Sequence, residues 1–99
     1  MLTISFIWDN RKADENRKKH KISFEEAKTV FTDPNARMIF DPEHSTDEDR
    51  FVLLGISAAL RLLAVCHCYR EKDMVIRIIS ARKATKQEQT QYGSFYHEK

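Results

Sequence analysis

Two cysteines, two glycines and two prolines among 99 residues exclude several protein classes at once. So little glycine and proline argues against long disordered linkers. Cys66 and Cys68 are only two positions apart, a poor disulfide spacing that fits the reducing conditions of a cytoplasm. No apolar run approaches the length of a membrane span. The opening "MLTISFIWDNRK" lacks a basic leader and a sufficiently long apolar core, so it is expected to be a strand and not a signal peptide. Internal repeats and low-complexity tracts are missing as well.

What is present is an ordinary globular composition, 41% hydrophobic and 32% charged, with a net charge of +2. A chain of this length supports one domain over residues 1–99, so fold and site must share one core. Its charges are unevenly placed. Met1 to Phe31 carries seven basic and five acidic residues, Thr32 to Arg50 two and six, and Phe51 to Lys99 eight and four. Basic ends around an acidic middle suit a polyanion held on one face, and they serve solubility equally well.

Along the chain, "TISFIW" alternates as a half-buried strand does. Asp9 is placed to cap a helix over Asn10 to His20 that has almost no apolar residue apart from Ala13 and should lie exposed at the domain's edge. "SFEEAKTVF" opens with a capping box, Ser23 with Glu26, and its stripe of Phe24, Ala27, Val30 and Phe31 should pack on a sheet. Pro34 ends that helix. "ARMIFDP", "FVLLGIS", "RLLAVCHCY" and "MVIRIIS" read as four strands, with Glu43 to Arg50 as a loop, and the last three as an antiparallel meander. Thr85 and Glu88 form a second capping box, opening a polar helix through Tyr92. The predicted class is α+β, an antiparallel sheet with two N-terminal helices and a C-terminal helix.

The residues that invite chemistry cluster at the last strand and the helix after it. Alternation in "MVIRIIS" sets Arg77 beside Val75 and Ile79, among apolar neighbours. An arginine there can snorkel to a surface carboxylate or clamp a phosphate with paired hydrogen bonds. Arg82 and Lys83 come just before a capped helix, whose N-terminus favours an anion. Glu88, Gln89 and Tyr92 border the same side. On the first helix Trp8, Lys12, Asn16 and His20 form one stripe, of which Lys12 and His20 suit RNA, while Arg11, Arg17, Lys18 and Lys21 read as a solvated face. His67 can act as acid or base near neutral pH. If the hairpin places Tyr69 opposite Val75, His67 faces Arg77; if opposite Met74, Cys66 does. No metal site is expected, because alternation separates His67 from the two cysteines and no second cysteine pair completes a zinc shell.

Taken together, "FIWD", "NRKKHKISFEEA", "RFVLLGIS" and "RIISARKAT…E…Y" resemble the BrnT family of bacterial toxins over nearly the whole chain. The likeness includes Trp8, Asp9, Lys12, Asn16, Lys19 and His20, then Arg50, Gly55 and Ser57, then His67, Arg77, Arg82, Glu88 and Tyr92. It implies a RelE-like fold and a cytoplasmic, metal-independent ribonuclease that needs no cofactor, halts translation, and is neutralised by a BrnA-like ribbon-helix-helix antitoxin through which operator DNA is bound. By the same resemblance Arg77 and Arg82 would stabilise the phosphorane, His67 or Tyr92 would move protons with Glu88 as the base if His67 points away, and Lys12, Lys19, His20 and Lys83 would hold substrate. The competing expectation is an inactive homologue that binds antitoxin and acts as co-repressor. Lys21 stands where the family usually has glycine, and Cys66, Cys68 and Tyr69 replace more typical strand residues.

Overall fold

A computed structural model describes residues 4–41 and 48–97, with side chains for 4–40 and 48–93. Strand β1 (Ser5–Ile7) leads to helix α1 (Asn10–His20), helix α2 (Phe24–Thr29) with a 3-10 turn (Val30–Thr32), strands β2 (Arg37–Asp41), β3 (Arg50–Ile56), β4 (Leu62–Arg70) and β5 (Val75–Lys83), and helix α3 (Lys86–His97). The fold is α+β, as the pattern predicts. Most of the loop expected between β2 and β3 lies outside the described residues.

The sheet order is β1-β5-β4-β3-β2. Strands β2 to β5 form the antiparallel meander, whereas β1 adds to β5 in parallel, with Phe6 beside Ile76. The sheet is therefore mixed and not wholly antiparallel, since the chain reaches β5 from β1 only after the helices and the meander. Helices α1 and α2 cover one face. Ile22, Phe24, Ala27 and Val30 pack there on Leu53, Leu63, Val65, Ile78 and Ala81.

Each helix begins as its sequence dictates. Asp9 accepts the Arg11 and Lys12 backbone N–H groups at 2.8 and 3.2 Å, and Ser23 accepts that of Glu26 at 3.1 Å. The Ser23 box is only half formed, because the Glu26 carboxylate turns to Ser57 and Arg61. Lys21 closes α1 in the left-handed region at φ 61°, the conformation for which glycine is suited. Gly55 has a different reason to lack a side chain: a Cβ there would stand 2.7 Å from Val30 Cγ1. The 3-10 turn can therefore press directly onto β3.

Helix α1 has one buried residue, and it is polar. Asn16 is 6% exposed; its Nδ2 donates to the Ile22 and Ala81 carbonyls at 2.9 and 2.8 Å, while its Oδ1 accepts the Ala81 N–H at 3.0 Å. Because β1 pairs only with residues 75–77, the far half of β5 has an open edge. Asn16 closes it as a neighbouring strand would.

Candidate active site

Strict alternation would put Arg77 and Arg82, five positions apart, on opposite faces of β5. The pairing shows otherwise. Cys68 stands opposite Arg77, His67 opposite Ile78, Cys66 opposite Ser80 and Ala64 opposite Arg82. Between Cys66 and His67 the register slips, leaving Ile79 as an extra residue in a β-bulge. Since Ala64, Cys66 and Cys68 share one face of β4, their partners Arg82, Ser80 and Arg77 share it too. The bulge brings the two arginines together.

Neither hairpin register considered from sequence is found, because Tyr69 pairs with Ile76. His67 lies on the helix face, opposite to Arg77. It is 0% exposed, with Nδ1 3.0 Å from the Val65 carbonyl, Nε2 3.3 Å from the Tyr69 hydroxyl, and its ring edge-on to Phe31 at 4.8 Å. Burial pushes its imidazole below the ordinary value, against the Val65 carbonyl, which favours the charged form. The structure does not bring His67 to the arginines.

The face that carries Arg77 and Arg82 holds three further arginines. Arg37, Leu54, Ala64 and Arg82 make one row across four strands, and Arg50 and Arg70 follow on the same face by alternation along β3 and β4. The Glu48 carboxylate reaches Arg70 at 2.9 Å and Arg50 at 3.9 Å. Burial first, and then Glu48, raise the pKa of the Cys68 thiol between them. Sequence reasoning missed Arg37 and Arg70. Arg70 was accessible to it, standing two residues beyond Cys68, but Arg37 gains its neighbours only from the sheet order.

Helix α3 closes one end of this face. Arg82 donates to both Glu88 carboxylate oxygens, at 2.6 and 2.9 Å, and the capping box is reciprocal: the Thr85 N–H donates to Glu88 Oε1 at 2.9 Å and the Glu88 N–H to Thr85 Oγ1 at 3.2 Å. The guanidinium holds the Glu88 carboxyl below the usual carboxylate range, over the opposing effect of burial. Tyr92 does not join that pair; its hydroxyl donates to Asp33 Oδ2 at 2.7 Å, and Arg37 donates to the Gln91 carbonyl at 3.1 Å. Burial would raise the Asp33 carboxyl, but the Ile56 and Asn35 N–H groups and the Tyr92 hydroxyl outweigh it and hold it low. Gln89 Nε2 donates to the Ala84 carbonyl at 3.3 Å.

Of the remaining sequence-predicted residues, Lys12, Lys19 and His20 line one cavity with Ser80 at the β5 edge. Lys83 is exposed at the end of β5. Trp8 leaves the α1 stripe to pack edge-on against Phe24 at 5.9 Å. Among the described residues no three His, Cys, Asp or Glu side chains gather as a metal would require, and no helix is long and apolar enough to cross a membrane.

An α+β domain with five guanidinium groups on one sheet face, and a carboxylate already seated on one of them, suits work on a phosphate-bearing polymer. Residues 8–88 match the ribonuclease toxin BrnT of type II toxin–antitoxin systems, and the chain belongs to that family. Its fold is similar to that of the Brucella abortus ribonuclease toxin BrnT, with a TM-score of 0.64 and 24% identity, covering 85% of this chain and 100% of that one. No curated relative matches the chain.

Proposed function

We propose that the chain is a metal-independent endoribonuclease whose cleavage of RNA inhibits translation, and that a BrnA-like ribbon-helix-helix antitoxin neutralises it and carries any contact with operator DNA. The observation that carries this reading is the bulge at Ile79, which sets Arg77 and Arg82 on one face. A phosphodiester laid across them meets paired cationic donors where charge develops on the equatorial oxygens.

The ribose 2′-oxygen attacks phosphorus, the bond to the 5′-oxygen breaks, and a 2′,3′-cyclic phosphate remains. Glu88 takes the 2′-hydroxyl proton. It is the carboxylate at hand, it is ionised at neutral pH, and it is held beside Arg82 by the Thr85 cap. The leaving 5′-oxygen takes a proton from solvent. Intramolecular attack needs only positioning, a proton acceptor and cationic stabilisation, so no resident metal has to generate the nucleophile. In this scheme Tyr92 positions α3 through Asp33, and His67 supports the sheet from behind.

One observation favours the competing reading of an inactive co-repressor: Glu88 already neutralises Arg82, one of the two arginines the bulge unites. Induced expression with and without the adjacent antitoxin gene, followed by an RNA integrity assay, separates the two. Fragmented RNA and arrested growth, both relieved by the antitoxin, are expected. Intact RNA alongside a stable antitoxin complex would leave the co-repressor reading.

A further inference from the structure

The open edge of β5 carries a cavity of about 240 Å³ outside the arginine pair. Lys12, Lys19 and His20 line it from α1, and Ser80 and the bulged Ile79 from β5. The three basic side chains stand one turn to either side of Asn16, whose bonds to the Ala81 backbone fix α1 against the strand. Their positions are thus set by buried contacts and not by a free surface helix.

Two observations join this cavity to the arginine face. Ser80 lines the cavity and shares the strand face of Arg77 and Arg82. The Asp9 carboxyl, lowered first by the Lys12 and Arg11 backbone N–H groups, is lowered further by the charges of Lys12 and of Arg77, so both cations lie within its electrostatic reach. A strand crossing Arg77 and Ser80 leads directly into the cavity.

We propose that this cavity is a phosphate subsite for single-stranded RNA, in which Lys12 and Lys19 hold one backbone phosphate adjacent to the scissile one. The proposal rests on the ribonuclease reading and extends it to the path of the substrate. Two lysines on one phosphate fix the register of the strand, and phosphate contacts position without reading sequence. Glu15 lines the same cavity. Its carboxylate opposes an incoming phosphate and moderates the hold, so that cut strands can leave.

The test is fluorescence anisotropy with a labelled 2′-O-methyl RNA oligonucleotide, which lacks the attacking hydroxyl, over a salt series. The Lys12→Ala/Lys19→Ala double variant is expected to bind about tenfold more weakly, the loss of one charge-assisted contact. Its slope of log K against log salt should be shallower by about 0.7, one phosphate on a single strand. Glu15→Gln should bind severalfold more tightly, the double Lys→Arg variant should keep the parent slope, and Lys18→Ala, on the far side of α1, should match the parent. Thermal unfolding confirms that each variant is folded. A parent that binds the oligonucleotide and a double variant with the same slope would overturn the subsite alone. A parent that does not bind at all removes the RNA reading and the subsite together. Loss of antitoxin binding with an unchanged RNA slope would assign the cavity to a protein partner, and the proposal would fail.

Discussion

Replacing Asn16 by alanine removes the partner of three backbone groups: the Ile22 carbonyl, the Ala81 carbonyl and the Ala81 N–H. Each buried group left without a partner costs about 1–3 kcal/mol. Water entering from the adjoining cavity will re-satisfy part of that loss, so the expected destabilisation is about 2–3 kcal/mol. Against a total of about 5–15 kcal/mol for a domain, this is a large fraction. At roughly 4–8 °C per kcal/mol for a chain of this size, the midpoint of thermal unfolding should fall by about 10–20 °C. The effect should be larger than at any other α1 residue, because the helix buries no other side chain. Urea denaturation of Asn16→Ala and of the exposed Lys18→Ala gives the comparison. An Asn16→Ala protein within about 0.5 kcal/mol of the parent would show that α1 does not depend on the β5 edge, and the fixed geometry of Lys12 and Lys19 would lose its basis.

Arg77→Ala should leave stability unchanged and slow cleavage by about 10²-fold, as loss of one transition-state donor does; a folded variant with parental activity removes Arg77 from the site. Gly55→Ala drives a Cβ to 2.7 Å from Val30 Cγ1 and should cost about 1–3 kcal/mol in a urea titration. Lys21→Gly should gain up to about 1 kcal/mol by relieving a left-handed lysine, and an unchanged midpoint would show that φ 61° carries no strain. The His67 imidazole is lowered in the fold, so below its unfolded value of about 6.5 the unfolded chain binds more protons and stability is lost as pH falls. The parent should therefore lose stability between pH 7.5 and 5.5, a window above the carboxylate range, and His67→Gln should lose less; parallel profiles would contradict this.

The elements were legible in the sequence because each carries a local cause. Asp9, Ser23 and Thr85 cap their helices, and Phe24, Ala27 and Val30 supply the stripe that buries α2. What escaped the sequence depends on neighbours far along the chain. The parallel pairing of β1 with β5 joins Phe6 to a strand some seventy residues away. The bulge at Ile79 breaks the period of two on which every assignment of faces in β5 relies, and nothing in "RIISARK" marks it. That single slip decided whether Arg77 and Arg82 meet and which residue pairs with His67. Family resemblance gathered His67 and Tyr92 with the arginines because it orders residues along the chain. Their positions in space, on the rear of the sheet and against Asp33, follow from register and from the docking of α3.

The most direct test of the arginine face as an RNA-cleaving site is end-group analysis of RNA cut by the purified protein in EDTA, using a substrate matched to one with a single deoxyribose at the cleavage position. The account predicts undiminished cleavage in EDTA, a 2′,3′-cyclic phosphate on the upstream fragment, and no reaction at the deoxy position. Activity lost in EDTA and restored by a divalent ion, or equal cutting of the deoxy substrate, would contradict it.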